Sequence, residues 1–123
     1  MLVEIMIKFS LANKDYELDN IKETKGFLND KVIKYNDGNV ITEIILDSPV
    51  TLKRVNNDYE IELTFVENKI TNGSYFIKDI DRKLDLKITT KRLVIKDGQI
   101  LIDYVLDIND EEFKFRLDYE VMK

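Results

Sequence analysis

Alternation of apolar and polar residues with a period of two runs through most of this chain, and no segment carries a helical stripe. Tyr59, Ile61, Leu63 and Phe65 alternate with Glu60, Glu62 and Thr64. Phe113, Phe115, Leu117, Tyr119 and Val121 alternate with Lys114, Arg116, Asp118 and Glu120. A strand written this way buries one face and wets the other, as antiparallel sheets do and parallel sheets rarely do. Turn signals separate the runs: Asp37-Gly38, Asn56-Asn57, Asn72-Gly73, Asp97-Gly98 and Asn109-Asp110. Asx and Gly accept the positive φ that tight hairpins need. Strands so joined are neighbours, which predicts an up-and-down meander. The strands are expected near 2–9, 20–27, 31–36, 39–47, 50–55, 58–67, 69–77, 84–95, 99–108 and 111–121, with 10–20 a loop or one short helix.

Pairing registers follow from the turns. A two-residue turn at Asn56-Asn57 sets Lys53 against Glu60, Leu52 against Ile61, Val50 against Leu63, and Arg54 against Tyr59 on the inner face. A turn at Asp97-Gly98 sets Ile95 against Ile100, Leu93 against Ile102 and Arg92 beside Asp103. A turn at Asn109-Asp110 sets Asp103 beside Arg116 and Leu106 against Phe113. Arg92, Asp103 and Arg116 would then form a charge ladder, although Asp107 would face Glu112, which argues for a longer last turn. Apolar positions change phase twice, through Thr89-Thr90 and at Asn72-Gly73, as one inserted residue in a strand would cause. Bulges of this kind bend sheets into closed forms. The fold class expected is therefore all-β, an antiparallel meander closed into a barrel of about 8–10 strands. One domain over 1–123 is expected at this length, and a hydrophobic fraction of 44% suffices for a core.

Histidine and cysteine are both absent. Disulfides, thiolate nucleophiles, Cys/His zinc sites and imidazole-dependent relays are thereby excluded. None of Ser10, Ser48 and Ser74 sits in a GxSxG turn, and the four glycines form no phosphate-binding loop. Carboxylates, Lys, Arg, Tyr and Thr remain, and they show no catalytic constellation. An enzyme is the least supported class, and no catalytic residue, cofactor or metal is expected. Asp79 to Thr90 lacks the central glycine and terminal glutamate of a calcium loop. The sequon Asn72-Gly73-Ser74 matters only in a secreted chain. No run approaches the roughly 18 apolar residues of a membrane helix. The apolar N-terminal stretch contains Glu4 and Lys8, so a cytoplasmic protein is expected.

The net charge is −5, which disfavours nucleic acid as a partner. Residues 78–96 nevertheless carry a local excess of four positive charges, while 97–123 carry an excess of five negative ones. The basic segment reads either as an anion surface or as a strand face neutralised by its acidic neighbour, and neutralisation is the more ordinary arrangement.

A series of residues in order carries a family resemblance. It comprises Thr24-Lys25-Gly26, Tyr35 after Val32-Ile33, Val50-Thr51-Leu52-Lys53-Arg54, Leu63-Thr64-Phe65, Tyr75, Leu86-Lys87-Ile88-Thr89-Thr90 and Ile100-Leu101-Ile102-Asp103-Tyr104-Val105-Leu106. In these the chain resembles the YwiB-like family of uncharacterised bacterial β-barrels. It departs from the pattern at Asn56-Asn57, where a glycine is expected, and after Tyr75, where a Thr and a Gly are missing. The resemblance implies a calycin-like (lipocalin-like) barrel and no established activity.

Arg54 shares a strand face with Val50 and Leu52 and should point inward, where a guanidinium needs partners. It is either an anchor for a ligand carboxylate or phosphate, or a structural group stacked on Tyr59. Tyr35, Tyr75 and Tyr104 are the other inward candidates, either offering hydroxyls to a ligand or filling the core. The partner expected is a small apolar or anionic ligand inside the barrel, with no membrane. The alternative is a filled barrel that acts as an interaction or regulatory module through its outer surface.

Overall fold

The computed structural model describes residues 1–13, 21–108 and 110–122. Ten strands close into one antiparallel barrel: β1 (Leu2–Asn13), β2 (Lys22–Asn29), β3 (Val32–Asp37), β4 (Val40–Ile45), β5 (Val50–Val55), β6 (Tyr59–Phe65), β7 (Ile70–Ile77), β8 (Arg82–Lys96), β9 (Gln99–Leu106) and β10 (Glu111–Val121). Each strand pairs with its sequence neighbour, and β1 closes the ring against β10. Among the described residues no helix is long and apolar enough to cross a membrane. The meander and its strand positions match expectation, except that β1 runs on through Ser10 to Asn13 where a loop or helix was expected. The rest of that stretch, 14–20, lies outside the described residues.

The Asp97-Gly98 hairpin has the expected register, with Ile95 opposite Ile100, Leu93 opposite Ile102 and Arg92 opposite Asp103. Gly98 takes a φ of 82°, the left-handed value that such a turn demands. The inserted residue after Thr90 is also present: the register shifts between Thr90 and Arg92, leaving Lys91 extra. The bulge is held by the Asn68 N–H on the Thr90 carbonyl (2.8 Å) and the Leu93 N–H on the Glu67 carboxylate (2.8 Å).

Three expectations are corrected. Lys53 pairs with Glu62, Leu52 with Leu63, Val50 with Phe65 and Arg54 with Ile61, two residues away from the two-residue-turn scheme. The turn is longer because the Asn56 side-chain oxygen accepts N–H bonds from Asp58 (2.7 Å) and Tyr59 (2.9 Å), rounding off an Asx turn. The last hairpin register also slips by two, giving the longer turn that the clash of Asp107 with Glu112 argued for, so that Leu106 faces Glu111, Phe113 faces Tyr104 and Arg116 faces Leu101. Asn72-Gly73 is not a turn, and no residue is inserted there against β8, since β7 pairs with β8 in unbroken register from Ile70 to Ile77. Ile70 simply points outward, 67% exposed.

The inward faces make one core, with Ile5, Ile7, Ile33, Ile44, Phe65, Ile88, Ile100, Ile102 and Leu117 fully buried. At about 1.5–3 kcal/mol for each such side chain, this burial is the main force favouring closure. Two glycines permit close approach of the walls. A Cβ on Gly26 would lie 2.6 Å from Ile7 Cδ1 and 2.7 Å from the Lys34 carbonyl oxygen, and one on Gly73 would lie 2.5 Å from that of Glu62.

Candidate functional site

Register places four residues of successive strands on one row facing the lumen: Gly26 opposite Tyr35, Tyr35 opposite Thr42, and Thr42 opposite Arg54. Tyr35 and Thr42 are buried and Arg54 is half-buried. Two residues further into the barrel, Ile33, Ile44 and Leu52 fill the interior. In the other direction, where β1, β3 and β5 end and β2 and β4 begin, the lumen opens into a cavity of about 330 Å³. Its apolar wall is Phe9, Leu11, Leu52 and Phe115, and its polar wall includes Arg54, Tyr35, Thr42, Lys22 and Asp37. A larger depression of about 420 Å³ lies beside the Asp97-Gly98 turn, lined by Lys8, Asp118 and Glu120, on the outside of the barrel.

Arg54 carries the site's electrostatics. Among the described residues it makes no hydrogen bond or ion pair, which is a costly state for a half-buried guanidinium. Its charge bears on both Tyr35 and Tyr104, which stand on different walls, so the guanidinium lies towards the lumen. Burial pushes both tyrosine hydroxyls well above the ordinary range, and Arg54 offsets only part of this. Thr42, opposite Tyr35 on β4, offsets a further part for Tyr35. Both phenols therefore remain neutral donors at physiological pH. Lys22 and Asp37 pair at 3.5 Å on the cavity wall.

Of the five residues proposed from sequence, Arg54 and Tyr35 border this cavity. Tyr104 is buried opposite Thr90, with its ring 4.9 Å from Phe65 and 5.3 Å from Phe113. Tyr59 and Tyr75 stack on each other at 5.7 Å and do not border it. Tyr59 thus stacks on Tyr75, and Ile61 takes the place opposite Arg54 that was expected for Tyr59. Lys22, Asp37 and Thr42 were not anticipated. Thr42 carried a signal, since it shares the strand face of Ile44; Lys22 and Asp37 lie at strand ends where alternation is weak. Among the described residues no group of three acidic side chains is placed to hold a metal ion.

The basic segment is partly neutralised. Lys78 meets Glu60 at 3.9 Å, Lys91 meets Glu112 at 2.7 Å, and Arg92 lies opposite Asp103.

No curated protein matches the chain. Among solved structures, it is similar to the crystal structure of the ywiB protein from Bacillus subtilis, with a TM-score of 0.69 and 18% identity over 99% of this chain and 92% of that one. At that identity the likeness is one of fold. Residues 6–118 match the family model described as a domain of unknown function, DUF1934. With nearly its whole length inside that match, and the same barrel as the ywiB protein, this chain belongs to the DUF1934, YwiB-like family.

Proposed function

We propose that the barrel binds a small amphipathic molecule in the open end of its lumen. The observation that carries this reading is a cavity of about 330 Å³ whose wall joins Phe9, Leu52 and Phe115 to a guanidinium with no partner among the described residues. Ligand pockets begin at roughly this volume, and they pair an apolar lining with a few polar groups that orient the ligand. Barrels of calycin (lipocalin-like) type hold a single small ligand in this position, and the kinship that the resemblance implies supports the reading. A cytoplasmic setting, compatible with a cysteine-free chain, belongs to the same proposal.

Native mass spectrometry of the protein as purified tests it. A discrete added mass that is lost on denaturation is the expected result. A clean apo mass, together with failure of an environment-sensitive apolar dye to bind, would turn attention to an interaction module. Exposed Phe27 and Ile41 on the outer wall would then be the first contacts to probe.

A further inference from the structure

Resting on the cavity reading above, we infer that the ligand class is a short monocarboxylate, its carboxylate on Arg54 and its apolar body against Leu52, Phe9 and Phe115. Charge counting sets the headgroup. Lys22 and Asp37 on the cavity wall neutralise each other at 3.5 Å, so among the described residues that border the space one uncompensated positive charge, that of Arg54, remains. Glu111, the acid whose charge bears on Tyr104 from the same end, accepts a hydrogen bond from Asn13 at 3.0 Å and does not border the cavity. A single negative charge balances Arg54. A dianionic phosphate monoester would leave a net negative charge in a half-buried space, and a neutral alcohol would leave the guanidinium without a counter-ion.

Geometry points the same way. A planar guanidinium takes a carboxylate through two parallel N–H···O bonds. Tyr35, two strands along the same row and held neutral, supplies a hydroxyl that donates to an anion and does not repel it. Size limits the body. The volume lies at the small end for ligand pockets, and fully buried Ile33 and Ile44 close the space beneath the row, so the far end of a long acyl chain would have to extend out of the open end into water.

The test is calorimetric titration of the full chain, stripped of any co-purified ligand by refolding, with octanoate, octanol, octyl phosphate and palmitate. Octanoate is expected to bind about ten-fold or more tightly than the other three. The Arg54→Met variant should lose that preference and the Arg54→Lys variant should keep part of it, each checked for a native circular dichroism spectrum. Octanol or octyl phosphate equalling octanoate would overturn the carboxylate assignment while leaving the cavity as a binding site, and palmitate binding best would overturn the size limit. No binding of any probe by the unmodified protein would overturn the cavity reading itself. The order of the four probes decides the matter even if a variant does not fold.

Discussion

Arg116 and Asp103 meet diagonally across β10 and β9. The register sets Lys114 opposite Asp103, yet the Arg116 guanidinium reaches the Asp103 carboxylate at 2.8 Å and also donates to the Phe115 carbonyl at 2.9 Å. With Arg92 opposite Asp103 on the other side, one carboxylate lies between two cations of neighbouring strands. The pair is about one-quarter exposed, 24% and 22%, so solvent screens only part of its attraction. Asp103→Asn should cost about 1 kcal/mol in urea unfolding, with the loss shrinking in high salt. A loss that is independent of salt would show that the carboxylate acts through packing.

Gly73→Ala and Gly26→Ala should each cost about 2 kcal/mol or more, because the new methyl would meet backbone oxygen at 2.5 Å and 2.7 Å, where little can yield. Gly38→Ala should cost only about 1 kcal/mol. Its left-handed φ of 60° strains an alanine, but no atom lies within 4 Å of the new methyl. Denaturant midpoints for the three variants measure the order. Gly38→Ala being the most harmful would contradict the close packing of the walls.

Thr90 is fully buried, and its hydroxyl is the one buried side-chain oxygen or nitrogen without a hydrogen-bond partner among the described residues. Thr90→Val keeps the shape and removes the unsatisfied group. It should raise stability by about 1 kcal/mol, or about 3–6 °C in Tm for a domain of this size. A lower Tm would mean that an internal water serves the hydroxyl.

Alkaline pH should weaken the fold through Tyr35 and Tyr104. Burial raises both pKa values in the folded state, so the unfolded chain loses these protons first. Their contribution is complete below about pH 10, the unfolded tyrosine pKa, and is lost as pH rises from there towards the folded values. Ultraviolet titration should show Tyr35 and Tyr104 still un-ionised in native protein at pH 11 and released on unfolding. In the Tyr35→Phe, Tyr104→Phe double variant the alkaline decline in stability should flatten.

Much of the architecture was legible because alternation is a local property. The parity of Leu52 and Arg54, or of Phe115 and Leu117, follows from the strand backbone alone, and so does the inserted residue at Thr90 to Arg92. Turn length was not legible. A slip of two residues between β5 and β6, or between β9 and β10, leaves every side chain on the same face, so alternation cannot detect it; only the clash of Asp107 with Glu112 hinted at the second. What settles the first of these turns is the Asn56 side chain bonding to the backbone of Asp58 and Tyr59.

The chain by itself determined that strands would form, which residues of most strands would face inward, and that Arg54 would be among them. Tertiary structure decided which inward residues share a space. Ring closure brings Phe9 of β1 and Phe115 of β10 to the same cavity as Tyr35, Thr42 and Arg54, residues far apart in sequence. The same closure stacks Tyr59 on Tyr75 and leaves Arg54 at the lumen without a partner among the described residues. Facing direction is set within one strand by a two-residue period. Neighbourhood across a barrel is set by register and closure summed over ten strands, and local pattern carries no record of that sum.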